Sequence, residues 1–245
     1  EGVAALIPLL VTAIEECAED GADQAMIAMS HRGRLNVMSQ VIGRTPVELF
    51  AGFEDVDPRS VLGSGDVKYH LGATGTLVTP TGKTVRLHLN SNPSHLEVVS
   101  SVAMGRMRAK LTRLGDVTGR KIVPLLLHGD SAFAGQGIAA ETLNFAALDG
   151  FEVGGALQIV VNNLIGFTTE PKAYSSTRYA SDVAKRLPVP IFHVNAEEPE
   201  AHDEHAGDRT AAERDGERLV QARSRRFGGA HVRAHRHVHA DVACE

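Results

Sequence analysis

The segment IVPLLLHGDSAFAGQGIAAETLNFAALDGFEVGGALQIVVNNLIGFTT, residues 122–169, decides the fold of this 245-residue chain. Two apolar runs, residues 122–127 and 156–161, are rich in branched side chains and have the length of buried strands. Between them, residues 136–148 carry apolar side chains at helical spacing. Strand, helix and strand in this order predict a βαβ unit. Its right-handed crossover brings both strand ends to one edge of a parallel sheet.

Oxygen-bearing residues follow each of the two apolar runs. Asp130 comes after the first run, and Asn163 comes after the second. Both should emerge side by side at the edge where open α/β sheets bind ligands. A carboxylate and an amide oxygen suit Mg²⁺, because this hard cation prefers oxygen ligands. It is often bound by protein oxygens and phosphate oxygens together. The alternative interpretation is that Gly-Asp and Asn-Asn only form turns, as these residue types often do.

The rest of the chain predicts further strands and helices around this unit. Thr45-Pro46-x-Glu48 has the form of a capping box with proline at the first helical position. Asn92-Pro93 is expected to start a long helix. Periodicity predicts helices over residues 2–19, 35–42, 46–53, 92–111 and 181–187, strands over 24–29, 84–89 and 191–194, and a long irregular loop over 54–82. Five strands alternating with helices predict an α/β fold, a doubly wound, mostly parallel sheet with helices on both faces.

Composition narrows the classes of protein to which the chain can belong. The net charge of -5 argues against a nucleic-acid or acidic-membrane partner, and no apolar run is long enough to cross a membrane. Two cysteines, Cys17 and Cys244, form no CxxC motif and suit a reducing compartment. We expect a cytoplasmic protein, or one of the mitochondrial matrix in a eukaryote. The first residue is Glu1 and no signal peptide is recognisable, so we expect the chain to begin inside a longer protein.

The composition changes after residue 201. Residues 202–245 are rich in His and Arg and show no helical or strand period. We therefore predict two regions. Residues 1–201 form the ligand-binding domain, and residues 202–245 form a disordered tail unrelated to it, as a frame-shifted reading would produce.

Several longer strings carry a resemblance to a known family. They are MSHRGRLNVM (residues 29–38), YHLG (69–72), NPSHLE (92–97), LLHGDSAFAGQG (126–137) and VVNNLIGFTT (160–169). Gly-Asp followed about thirty residues later by Asn-Asn is similar to the thiamine-diphosphate fingerprint. Together the strings resemble the E1 component of the 2-oxoglutarate dehydrogenase complex, of the thiamine-diphosphate-dependent 2-oxo acid dehydrogenase family.

The resemblance implies roles for particular residues. Mg²⁺ would be held by Asp130, Asn163 and the backbone carbonyl of Ile165. His31 and His70 would face the carboxylate end of the substrate. The residues implied to contact the cofactor are Arg32, Leu89, Asp130, Ser131, Ala132, Asn163 and Ile165. The chain departs from the family at Ser131, where alanine is usual, at Leu164, where glutamine is common, and at His88, where serine is frequent.

The resemblance also implies a function and its partners. The expected activity is the thiamine-diphosphate- and Mg²⁺-dependent oxidative decarboxylation of 2-oxoglutarate, with succinyl transfer to a lipoyl group. The expected partners are a second copy, since family members are homodimers, and the lipoyl-bearing dihydrolipoamide acyltransferase. A 2-oxoadipate-type E1 component and a non-catalytic, cofactor-binding truncated subunit stay open as alternatives. We expect the chain to be inactive alone, because the family's activating glutamate comes from a pyrimidine-type domain that this sequence does not contain.

Overall fold

A computed structural model of the chain describes residues 4–54, 70–196 and 237–243. The helices are α1 (Leu6–Glu19), α2 (Arg34–Gln40), α3 (Pro46–Glu54), α4 (Val98–Leu114), α5 (Asp130–Gly135), α6 (Gly137–Asn144) and α7 (Pro171–Tyr174), with 3₁₀ helices over Phe145–Ala147 and Ala180–Arg186. The strands are β1 (Gln24–Met29), β2 (Ala73–Val78), β3 (Thr84–Leu89), β4 (Ile122–Gly129), β5 (Ala156–Asn162), β6 (Ile191–Asn195) and β7 (His237–Ala243). In these ranges no helix is long and apolar enough to cross a membrane.

The strands form one sheet in the order β2-β3-β1-β4-β5-β7-β6. Every neighbouring pair is parallel except β2 with β3, which is antiparallel. Alternate residues of the strands bury apolar side chains on opposite faces. Ile27 of β1 packs into a core that includes α1 and α2, whereas Met26 packs into a core that includes α4. Helices therefore cover both faces, and the predicted doubly wound, mostly parallel α/β fold is confirmed.

The start of α3 shows a local sequence signal forming as predicted. The Glu48 backbone N–H donates to Thr45 Oγ1 at 3.2 Å, and the Thr45 backbone N–H donates to Glu48 Oε2 at 2.9 Å. These reciprocal bonds satisfy two N–H groups that the first helical turn cannot pair internally. The Thr45 backbone N–H and hydroxyl both donate to the Glu48 carboxylate, and these bonds hold its pKa below its usual range because they favour the charged form.

Two predictions about local structure were wrong. The expected loop over 54–82 contains strand β2, which pairs at the sheet edge; the remainder of that loop over 55–69 lies outside the described residues. Alternation is hard to read there because Gly75 interrupts the strand. Asn92 does not start the long helix: α4 begins at Val98, and the Asn92 amide donates instead to the Pro93 carbonyl at 3.2 Å.

The predicted disordered tail contains one element of regular structure. Residues 237–243 form β7, which lies between β5 and β6 and pairs with both in parallel. Disorder is therefore not the structure of these seven residues. Residues 202–236 and 244–245 lie outside the described residues, so the boundary at residue 201 and the unrelated origin of the tail stay predictions.

Candidate diphosphate and metal site

The ends of β4 and β5 bring the two predicted metal-binding segments together. The two strands are adjacent and parallel, with Gly129 opposite Val161. Asp130 follows directly as the first residue of α5, and Asn163 follows the last residue of β5. The Asp130 side chain is only 1% exposed. The placement predicted from strand pattern is thus found, and Asp130 is a buried carboxylate that needs a partner.

Arg32 is that partner, and it contacts three oxygens at this edge. Its Nη1 donates to Asp130 Oδ1 at 2.5 Å and to the Val161 carbonyl at 2.6 Å. Its Nη2 donates to the Ile165 carbonyl at 3.0 Å. The planar guanidinium suits this task because its donors point in fixed, divergent directions. Arg32 thereby ties the turn after β1 to the ends of β4 and β5.

Tyr174 holds the second oxygen of the same carboxylate. Its hydroxyl, on α7, donates to Asp130 Oδ2. The ring lies over Gly166, where an added Cβ would come within 2.8 Å of Tyr174 Cδ1 and 2.9 Å of Ser131 Cβ. Sequence reasoning missed Tyr174, since the irregular segment around it carries no period. The close approach to Gly166 explains why a residue without a side chain stands there.

The segment after β5 is fixed by its own asparagines. Asn162 Oδ1 accepts from the Leu164 N–H at 2.9 Å, and Asn163 Oδ1 accepts from the Ile165 N–H at 3.2 Å. In this turn, which the two asparagine side chains hold, the Ile165 carbonyl accepts a hydrogen bond from Arg32. Leu164 has φ 57° and Phe167 has φ 61°, a left-handed conformation that costs L-residues about 1–2 kcal/mol each. Strain therefore accumulates in the loop that lies over the site.

The two histidines implied to face the substrate are in contact with each other. His31 Nε2 lies 2.7 Å from His70 Nε2, and the ring centroids are 4.8 Å apart at an interplanar angle of 25°. One ring nitrogen must donate and the other accept, so the pair shares a single proton along this contact. His31 directly precedes Arg32 in the chain, so one member of the pair is next in sequence to the arginine that binds Asp130.

Arg34 explains how these loops are held in place. It is fully buried, and it donates to the carbonyls of Met29, Leu71 and Asn90 at 2.8–2.9 Å. These carbonyls belong to the end of β1, the loop carrying His70 and the residue after β3. Burial lowers the pKa of Arg34 to about 10, which leaves it charged at neutral pH. The sequence predicts no role for Arg34, and its three hydrogen bonds show that it holds these loops together.

A buried polar network underlies the end of β4. His128 Nδ1 lies 2.6 Å from Glu97 Oε2, and His128 Nε2 lies 2.6 Å from Gln158 Oε1. All three side chains are at most 4% exposed. Both ring nitrogens are thus engaged, which fixes the orientation of His128 two residues before Asp130. No pattern in the sequence indicates this network, because its members come from three separate segments of the chain.

The remaining candidate residues are placed as follows. Ser131 and Ala132 are the second and third residues of α5 and directly follow Asp130 in the chain. Leu89 ends β3 and is 2% exposed within the core shared with α1 and α2. Its implied contact with a cofactor stays a prediction. His88 lies on the opposite face of β3, next to Lys110 of α4.

The oxygen set at this edge fits a hard metal ion with a diphosphate. Asp130 supplies a carboxylate, Ile165 a backbone carbonyl and Asn163 an amide oxygen. Two of these oxygens already accept from a cationic guanidinium. In the described ranges no three His, Cys, Asp or Glu side chains are grouped as a metal would require. A metal here would therefore need diphosphate oxygens or water to complete its coordination shell.

Comparison with known proteins shows the family to which the chain belongs. The model of the dehydrogenase E1 component family matches residues 11–232, and the chain belongs to that family. The matched range runs past residue 201 into the segment predicted to be unrelated.

Two relatives are similar to this chain in sequence. The chain is 49% identical over 206 residues to the multifunctional 2-oxoglutarate metabolism enzyme of Mycolicibacterium vanbaalenii, with 82% of this chain and 17% of that protein aligned. It is equally similar to the multifunctional 2-oxoglutarate metabolism enzyme of Mycobacterium sp. strain JLS, of which 16% is aligned. The chain spans about a sixth of the length of these curated relatives. The family match and the 49% identity together make it a member of a 2-oxo acid dehydrogenase E1 family.

Proposed function

We propose that this chain carries the diphosphate- and Mg²⁺-binding half of the active site of a 2-oxoglutarate dehydrogenase E1 component. The observation that carries the proposal is the set of contacts around Asp130. A buried carboxylate, a backbone carbonyl and a guanidinium converge where the matched family and the sequence resemblance imply a metal and a diphosphate. The relatives are named multifunctional 2-oxoglutarate metabolism enzymes, and this supports 2-oxoglutarate as the substrate.

The chain's own residues divide the work of binding. Asp130, Asn163 and the Ile165 carbonyl would hold Mg²⁺, because hard oxygens are its preferred ligands. Arg32 would neutralise diphosphate charge, for which a planar guanidinium is well suited. The backbone N–H groups of Ser131 and Ala132, in the first turn of α5, would face the oxygens of the diphosphate. When bound, thiamine diphosphate supplies the nucleophilic carbon and the electron sink for loss of CO₂ from a 2-oxo acid.

The histidine pair would bind the substrate. His31 Nε2 and His70 Nε2 lie 2.7 Å apart, so the ring that accepts at Nε2 carries its own proton on Nδ1, and this N–H would donate to a substrate carboxylate. We propose that these side chains orient a dicarboxylic 2-oxo acid, and that Leu89 contacts the cofactor's rings. Succinyl transfer to a lipoyl group on an acyltransferase, and a homodimeric assembly, complete the proposal.

Isothermal titration calorimetry on the 245-residue chain tests the binding half. We expect thiamine diphosphate to bind only when Mg²⁺ is present. Asp130→Asn removes the carboxylate charge and should abolish this Mg²⁺-dependent binding. Asp149→Asn is the matched control, since Asp149 is an exposed residue beyond α6 and should leave binding unchanged. Equal binding by the wild type and Asp130→Asn would contradict the assignment of the site.

The identity of the substrate requires a second measurement. Titration of 2-oxoglutarate and of 2-oxoadipate into the cofactor-loaded chain should favour 2-oxoglutarate. His70→Ala should weaken binding of the 2-oxo acid while leaving thiamine diphosphate binding intact. Preference for 2-oxoadipate would reassign the substrate. Release of CO₂ from 2-oxoglutarate separates a catalytic chain from one that only binds the cofactor.

A further inference from the structure

Arg32 donates to two of the three oxygens assigned to the metal ion. Its Nη1 lies 2.5 Å from Asp130 Oδ1, and its Nη2 lies 3.0 Å from the Ile165 carbonyl. A guanidinium and a divalent cation repel each other when both contact these oxygens, because both are positively charged. Asp130 is 1% exposed, so solvent screens their repulsion poorly. The metal and the guanidinium therefore compete for the same ligands.

The consequence for binding depends on where the guanidinium goes when it is displaced. A metal ion that binds alone would separate Arg32 from the buried Asp130 carboxylate. The guanidinium would then have no new anion to contact, and this makes the exchange unfavourable. Metal bound together with a diphosphate does offer one, since phosphate oxygens accept readily from arginine. We propose that Arg32 is a resident cation that excludes a lone metal ion, so that metal and diphosphate bind as a pair. This inference rests on the proposed function of the site.

The two ligands should then be thermodynamically coupled through one side chain. Coupling between ligands is reciprocal, so the metal must favour the diphosphate by the same factor by which the diphosphate favours the metal. Tyr174 strengthens the effect, because its hydroxyl already occupies Asp130 Oδ2 and leaves Oδ1 as the oxygen in contest. A chain without the guanidinium keeps the oxygens but loses the exclusion.

The test uses Mn²⁺ as a paramagnetic substitute for Mg²⁺. Electron paramagnetic resonance of the free ion measures binding of Mn²⁺ alone, and isothermal titration calorimetry measures binding of the Mn²⁺–diphosphate complex. Two ligands are titrated into the 245-residue chain: Mn²⁺ alone, and the preformed complex of Mn²⁺ with inorganic diphosphate. We expect Arg32→Gln to bind Mn²⁺ alone about tenfold more tightly than the wild type, and the complex about tenfold more weakly. The affinities should therefore change in opposite directions.

Two further variants separate occupancy from charge. Arg32→Lys keeps the charge, but its single nitrogen cannot contact Asp130 and Ile165 as the guanidinium does. It should gain affinity for Mn²⁺ alone, though less than Arg32→Gln does. Arg113→Gln removes one positive charge from the exposed last turn of α4 and should change neither affinity. Circular dichroism verifies that each variant is folded, and Arg32→Lys carries the test if Arg32→Gln is not.

The outcomes distinguish this inference from the function on which it rests. If the wild type binds the Mn²⁺–diphosphate complex but no Arg32 variant gains affinity for Mn²⁺ alone, resident-cation exclusion is wrong and the proposed site stands. If the wild type binds neither the complex nor thiamine diphosphate with Mg²⁺, the proposed function fails and the inference fails with it. A gain in Arg113→Gln equal to that in Arg32→Gln would reduce the effect to net charge.

Discussion

Leu164 should destabilise the folded chain through its backbone conformation. With φ 57°, it adopts a left-handed conformation that costs an L-residue roughly 1–2 kcal/mol, whereas asparagine enters this region more readily. Its side chain is 41% exposed, so little apolar burial offsets the cost. We therefore expect Leu164→Asn to raise the free energy of unfolding by about 1 kcal/mol relative to a matched change elsewhere.

Leu148 supplies that matched change. It is 42% exposed, and its φ is -103°, where any residue is comfortable. Both substitutions lose a similar exposed leucine, so the difference between Leu164→Asn and Leu148→Asn isolates the backbone contribution. For a chain of this size 1 kcal/mol corresponds to about 2–4 °C in Tm. Thermal unfolding followed by circular dichroism measures it. Equal Tm values for the two variants would refute the strain assigned to the loop.

Two other perturbations test the fold around the site. Gly75→Ala should destabilise β2 by about 1–3 kcal/mol in urea titration, because its Cβ would lie 2.0 Å from the Ile42 carbonyl oxygen; Gly105→Ala, with open space around it in α4, should be neutral or stabilising. The pKa of His88 is lowered to about 4 by burial and by the positive charges of Lys110, Arg106 and Arg86. Between about pH 6.5 and pH 4 the unfolded chain therefore binds more protons than the folded chain. Stability should fall as the pH falls through this window, and His88→Gln should flatten the fall in the urea midpoint; an unchanged slope would contradict the assignment.

The sequence alone predicted the frame of the site well. The runs at β4 and β5 are recognisable because buried parallel strands need unbroken apolar, branched residues. The position of Asp130 and the segment after β5 at one edge follows from the handedness of the βαβ unit. The capping box at Thr45 is equally local, and its bonds formed as predicted. These features need only neighbouring residues or a topological rule.

The tertiary structure decided which groups hold one another at that edge. Tyr174 and Arg32 reach the same carboxylate from sequence separations of 44 and 98 residues, and no periodicity records such contacts. The resemblance assigned Arg32 to a diphosphate, whereas the fold places it on the oxygens assigned to the metal. The edge strand β2 was missed for a related reason: its pairing depends on backbone hydrogen bonds and on the space that Gly75 leaves for Ile42. The sequence therefore determined where the oxygens gather. The packing of distant segments decided which side chains contact those oxygens, because only packing can bury the Asp130 carboxylate beside the Arg32 guanidinium.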